Sequence, residues 1–200
     1  MHGWPNGDTV TTLDYQVAAS ADDGYGSGGY IYNNGMQLYF GQTMGNAYTT
    51  YVRWDGVTIP DGATIDEAYI SMRYDSKSGT PPTCTIYFED DDDPAVIANK
   101  ADLNGRTKTT ANVSWAPPST GTWVNTGSII SIIEELMASY SYASGAAMQM
   151  LVVGPQGGST TNYSAIRSYD YGGNDQGPIL HIKYSTGAVV GYVHSQCIII

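Results

Sequence analysis

Apolar and polar residues alternate over short runs along most of this chain. Ala68, Ile70, Met72 and Tyr74 hold one parity, with Tyr69, Ser71, Arg73 and Asp75 on the other. A period of two predicts a half-buried strand. Cys84, Ile86 and Phe88 alternate in the same way against Thr85, Tyr87 and Glu89, and Leu180, Ile182 and Tyr184 share one parity near the C-terminus. Tyr48, Val52 and Trp54 would lie on one strand face. "AAMQMLVVG" and "YSAIRSYD" predict further strands. Between the runs stand turn signals. Pro60-Asp61-Gly62 presets one backbone angle with proline and supplies a positive φ with glycine. Asn34-Gly35 predicts a hairpin within "YIYNNGMQLYFGQ".

One segment departs from this period. In "GSIISIIEELMASYSYASG", Ile129, Ile132, Ile133, Leu136, Met137 and Tyr140 follow helical spacing. Ser128 would cap its start and Gly145 would end the region, giving a core-packing crossover helix over about residues 127–141. The pattern predicts an all-β chain: an antiparallel β-sandwich or jelly roll of about nine strands with one helix. Residues 1–24 read as a polar N-terminal arm with one strand near Leu13–Val17. Residues 25–185 read as the sandwich, and residues 186–200 as an apolar tail.

Composition agrees and narrows the function. The 200 residues include 24 Gly and 17 Tyr but only 2 Phe, a strand-and-turn composition. The net charge is −11, with only 8 basic residues. That argues against nucleic-acid binding, which relies on Lys and Arg at the phosphates, and equally against anionic membranes. No apolar segment reaches the ~18 residues of a membrane span. "MHGWPNGDTVTT" has neither the cationic start nor the apolar stretch of a signal peptide. Cys84 and Cys197 form no disulfide framework, and two free thiols are the simpler reading.

The stretch "VRWDGVTIPDGATIDEAYISMRY" resembles the recurring strand-turn-strand element of DNRLRE-like β-sandwich domains. "RTKTTANVSWAPPSTGTW", "IISIIEELM" and "YDYGGNDQGPILHIKY" continue in the same register, and "SADDGY" and "LYFGQ" fit the opening. The resemblance covers residues 15–185, although the letters DNRLRE themselves are absent. It implies one of two settings: a secreted or cell-surface module that accompanies polysaccharide-active proteins, or a structural protein of phages. It implies no catalytic residues.

Candidate chemistry is sparse. The three histidines, His2, His181 and His194, adjoin no nucleophile signature, and G-x-S-x-G does not occur. No catalytic residue and no cofactor is expected. Glu89, Asp90, Asp91 and Asp92, with Asp93, offer carboxylates for a structural calcium ion. They lack the spacing of an EF-hand loop, and alternate members would face opposite ways on a strand. The loops Ala21–Gly29 and Asp170–Gly177 could complete such a site. A glycan-binding surface would need exposed rings, and Trp115 and Trp123, both beside loops, are the candidates. Tyrosine also suits protein interfaces, being large, rigid and amphipathic. The apolar tail, with Val189, Val190, Tyr192, Val193, Ile198, Ile199 and Ile200, would either return as an additional strand of its own sheet or add to a neighbour's sheet, and the expected role takes it as a dock on a partner. The expected role is a non-enzymatic virion subunit of a phage, a head-decoration, fibre or tail-associated protein. Its partners would be copies of itself or a capsid or tail shell. The alternative is an extracellular carbohydrate-binding or adhesion module.

Overall fold

The alternating runs form strands, and every strand pair among the described residues is antiparallel. A computed structural model describes residues 8–156, 159–172 and 175–187. In chain order the strands are β1 (Thr9–Gln16), β2 (Asp23–Ser27), β3 (Tyr30–Tyr32), β4 (Gln37–Thr43), β5 (Asn46–Ala47), β6 (Thr49–Val57), β7 (Thr64–Ser78), β8 (Cys84–Phe88), β9 (Val113–Trp115), β10 (Trp123–Asn125), β11 (Ala146–Val153), β12 (Asn162–Arg167) and β13 (Ile179–Thr186). The helices are α1 (Lys100–Gly105) and α2 (Ile130–Ser139). The described residues thus hold 13 strands rather than about nine. The surplus comes from short edge strands of two or three residues, such as β3, β5, β9 and β10, which carry too few positions to display a period.

The strands form two sheets. One has seven strands in the order β1-β13-β7-β12-β4-β5, with β10 also on β7; the other has six in the order β3-β2-β6-β11-β8-β9. The predicted inward faces meet between them. Trp54, Ile70, Met72, Ile86, Phe88, Leu180 and Ile182 are all fully buried in one core cluster. Trp54 also donates its indole N–H to the Pro178 carbonyl at 3.1 Å, so its polar edge is satisfied.

Four expectations change. The Asn34-Gly35 turn does not join a hairpin: β3 pairs with β2, β4 with β12, and the chain there crosses from one sheet to the other. The hairpin lies one step earlier, where Ser27 faces Tyr30 across Gly28, whose φ is +56°. Of the expected arm, residues 9–16 and 23–24 belong to the sandwich, because β1 pairs along its whole length with β13 and β2 joins the other sheet, while residues 1–7 lie outside the described residues. Helix α2 begins at Ile130 after Ile129 and ends at Ser139, with Tyr140 already extended. Ser128 supplies only a 3.4 Å contact to the Ile130 amide, and Gly145 belongs to a separate turn closed by its N–H on the Tyr142 carbonyl. Helix α2 still buries Ile132, Ile133 and Leu136 in the core. Finally, α1 was not expected. It is capped by Asn99, which accepts from the Asp102 amide at 3.0 Å, and it buries Leu103 on the outer face of the six-stranded sheet. There Tyr51, Ile97, Leu103 and Leu151 make a second, small core.

The tail residues Val189, Val190, Tyr192, Val193, Ile198, Ile199 and Ile200 lie outside the described residues, as does Cys197. No described helix is long and apolar enough to cross a membrane.

Candidate interaction surface

Where the β2–β3 hairpin of one sheet meets β4 and β12 of the other, five tyrosines converge. Tyr25 stacks on Tyr32 with ring centres 4.9 Å apart and meets Tyr39 and Tyr48 edge-on at 4.9 and 5.4 Å. Tyr39 stacks on Tyr48 at 5.3 Å and receives Tyr163 edge-on at 4.9 Å. Each such pair adds roughly 0.5–1.5 kcal/mol beyond the area it buries. Burial, then the neighbouring phenols, raises the pKa of Tyr25. Burial likewise leads the upward shifts of Tyr39 and Tyr48. These hydroxyls stay neutral, and Tyr39 donates to Gln37 Oε1 at 2.6 Å.

The rim of this cluster is exposed. Tyr30 is 71% exposed, Met44 78%, Met36 62% and Tyr32 43%. Met44 occupies the β4–β5 turn with a positive φ of 45°. These side chains come from β3, from the residue before β4 and from the turn after it, so they line the edge strands of the two sheets, with Met36 and Met44 at opposite ends of β4. Exposed apolar side chains along an edge are candidates for a contact surface.

Beside the rim lies a polar cleft of about 180 Å³, lined by Asn46, Thr49, Lys100, Asn104 and Gln156 among others. Gly26 makes room for the lysine: a Cβ there would stand 2.6 Å from both Lys100 Cδ and Nζ. Burial, and to a lesser degree the charge of Lys108, lowers the Lys100 pKa.

The acidic run disperses. Glu89 is buried, accepts from Arg106 Nη1 at 2.8 Å and from Gln149 Nε2 at 2.7 Å, and its pKa is raised because burial outweighs the arginine. Asp90 accepts from the Tyr140 hydroxyl at 3.0 Å. Asp91 accepts from the Asp93 amide at 3.0 Å, and Asp93 from the Ala147 amide at 2.9 Å. Asp92 stands exposed. No group of three or more His, Cys, Asp or Glu side chains gathers into a cation-holding cluster among the described residues. The two other acidic loops do meet, but each other rather than this run: Asp23 accepts from the Tyr169 amide at 2.8 Å and Asp170 from the Ser20 hydroxyl at 2.5 Å.

Of the two tryptophans expected at the surface, one is there. Trp123 is 41% exposed on β10, opposite Arg73 of β7. Trp115 is a correction: it is 6% exposed and packs edge-on to Phe40 at 5.2 Å. Pairing with Cys84 places it on β9, so its side chain takes the inward parity that the neighbouring "APP" conceals. His181 lies on the outer sheet face as expected, its Nδ1 2.7 Å from Asp14 Oδ1 and its ring stacked at 4.4 Å on Tyr69. Cys84 is buried, and burial pushes its thiol up to about 12, which makes it unreactive.

No protein-family model and no curated protein matches the chain. The tyrosine surplus was the only sequence signal for the cluster. Its members come from β2, β3, β4, β12 and the residue before β6, so no local window contains it.

Proposed function

We propose that this chain is a non-enzymatic structural subunit that acts by burying surface against protein partners. Those partners are copies of itself or a larger shell, of which a phage capsid or tail is the sharpest version and the virion the corresponding location. One observation carries the reading: the tyrosine-lined edge with Tyr30, Tyr32, Met36 and Met44 on its rim. Such aromatic and methionine side chains are enriched at interfaces, and a stable interface buries on the order of 1,200–2,000 Å² in total. Few carboxylates of the chain lie there, so the acidic remainder keeps separate subunits soluble while the edge docks. The apolar residues Val189 to Ile200 are proposed as a second docking element by strand augmentation. Sedimentation velocity over a concentration series tests the reading. Self-association, or capture by an isolated shell, is expected; a monomer that binds no shell at any concentration refutes it. Deleting residues 188–200 separates the contribution of the tail from that of the edge.

Trp123 favours a second reading. An exposed indole beside Arg73 on a sheet face is a platform on which a sugar ring can stack, as a secreted or cell-surface glycan-binding module requires. Affinity electrophoresis in a panel of polysaccharide gels tests it, with Trp123→Ala as control. Retardation lost in that variant supports the platform, and no retardation removes it.

A further inference from the structure

The two ends of the six-stranded sheet carry opposite charge. At one end, the Lys100 cleft opens beside Thr49, the first residue of β6. At the other, Asp91, Asp92 and Asp93 stand exposed beyond β8, anchored where Asp93 accepts the Ala147 amide. Ala146 faces Val57, the last residue of β6. Eight residues of strand therefore separate the ends, about 26 Å at ~3.3 Å per residue.

Lys100 forms no ion pair among the described residues, although the chain carries 19 acids against 8 bases. The other residues that line the cleft are neutral, Asn46, Thr49, Asn104 and Gln156 among them, and the charge acting on Lys100 is that of another cation, Lys108. One cation among amide donors suits a single carboxylate. A cleft of about 180 Å³ has room for that group on a short stem.

We propose that the Lys100 cleft receives the Asp91–Asp92 loop of a second copy of this chain, head to tail. This rests on the assembly reading above and specifies its contact. Charge complementarity selects the occupant, because the exposed carboxylates of the loop are what the cleft lacks. Met44, next in sequence to Gly45 of the cleft lining, and Tyr30, two residues from Gly28 of that lining, are exposed and would supply the apolar burial. The ion pair itself contributes only about 0–1 kcal/mol, and its role is register. Contacts at opposite ends of one sheet are heterologous, so they generate a ring or a filament rather than a two-fold dimer.

Charge reversal tests this. Lys100→Glu and Asp92→Lys each place like charges at the contact and should weaken self-association by ~10-fold or more in sedimentation velocity at low salt. The double variant should return to within about threefold of the wild type, since the pair is restored with its signs exchanged. Both side chains are partly or fully exposed, and unchanged melting of the variants confirms that they fold. Single variants that associate like the wild type, or a double variant as weak as the singles, overturn the proposal while leaving the assembly reading intact. A wild type that is monomeric throughout removes both.

Discussion

Asp23 and Tyr169, 146 residues apart, are joined by one hydrogen bond: the Tyr169 amide N–H donates to Asp23 Oδ2 at 2.8 Å. It ties the start of β2 to the loop between β12 and β13. Asp23 is only 1% exposed, and no cation pairs with it among the described residues. Burial raises its pKa from 3.8 to about 7; the Tyr169 amide opposes the shift, and the charges of Asp170 and Asp22 add to it. The folded chain therefore keeps a proton that the unfolded chain releases near pH 4. The stabilisation is complete below that pH and is lost as the pH rises through about 7. Asp23→Asn keeps an acceptor for Tyr169 and removes the charge. The variant should match the wild type at pH 4 and exceed it at pH 8, by at most about 4 kcal/mol for three pKa units. Melting curves of both proteins between those pH values check this. Glu89 and Asp102 titrate in both, so the difference between the curves isolates Asp23.

Glu89 sets a second stability prediction. Its side chain is 5% exposed and that of Arg106 14%, and Arg106 also binds Asp102 at 2.9 Å. Removing the arginine leaves a buried carboxylate with only Gln149 as donor. Arg106→Ala should cost about 3–5 kcal/mol at neutral pH, as for other broken buried pairs. Glu89→Gln in that background removes the unpaired charge and should recover part of the loss. Urea unfolding of the two variants measures both effects.

The acidic run illustrates what was legible in the sequence and what was not. Strand faces were readable because the apolar period of β7, β8 and β13 is long enough to assign every parity, and the structure buries those same residues, Tyr74 alone only in part. The fate of Glu89 to Asp93 was not readable. Asp92 stands exposed and Asp91 takes only the backbone amide two residues on, whereas Glu89, Asp90 and Asp93 find Arg106, Tyr140 and the Ala147 amide of β11. Those donors are neighbours only after the sheet and α2 have assembled. Trp115 failed for a related reason, since three residues of β9 carry no period and proline nearby suggests a loop. The tyrosine cluster joins both sheets, and composition could announce the tyrosines without placing them.

Two glycines hold those sheets together at the tyrosine edge. A Cβ on Gly154 would stand 2.1 Å from the Gly41 carbonyl oxygen, so the backbones of the β4 strand and the segment after β11 touch. The Gly154 N–H donates to the Tyr48 carbonyl and the Tyr48 N–H to the Gly41 carbonyl, both at 2.9 Å. Gly154→Ala must push this contact apart and should destabilise by about 1–3 kcal/mol. It should also weaken the near-ultraviolet circular dichroism of the cluster, because Tyr48 is pinned by both bonds. A loss of stability with an unchanged near-ultraviolet signal would contradict that link.

Within the tyrosine edge, structural and contact roles fall on different residues. Tyr39 touches Tyr25, Tyr48 and Tyr163 and is half-buried, so Tyr39→Ala removes three ring contacts and leaves a void. It should cost about 2–3 kcal/mol, below the ~3–5 kcal/mol for deleting a fully buried aromatic side chain, because Tyr39 is only half-buried. Tyr30 and Met44 are mostly in water and support no ring of the cluster. Tyr30→Ser and Met44→Ser should shift stability by no more than about 0.5 kcal/mol, as for ordinary surface changes. If the edge is a contact surface, the same two substitutions should reduce self-association or shell binding, because their apolar area is buried only in the complex. The two measurements must therefore part company: melting unchanged, association weaker. Association at wild-type strength in the double serine variant would show that partners bind elsewhere on the subunit.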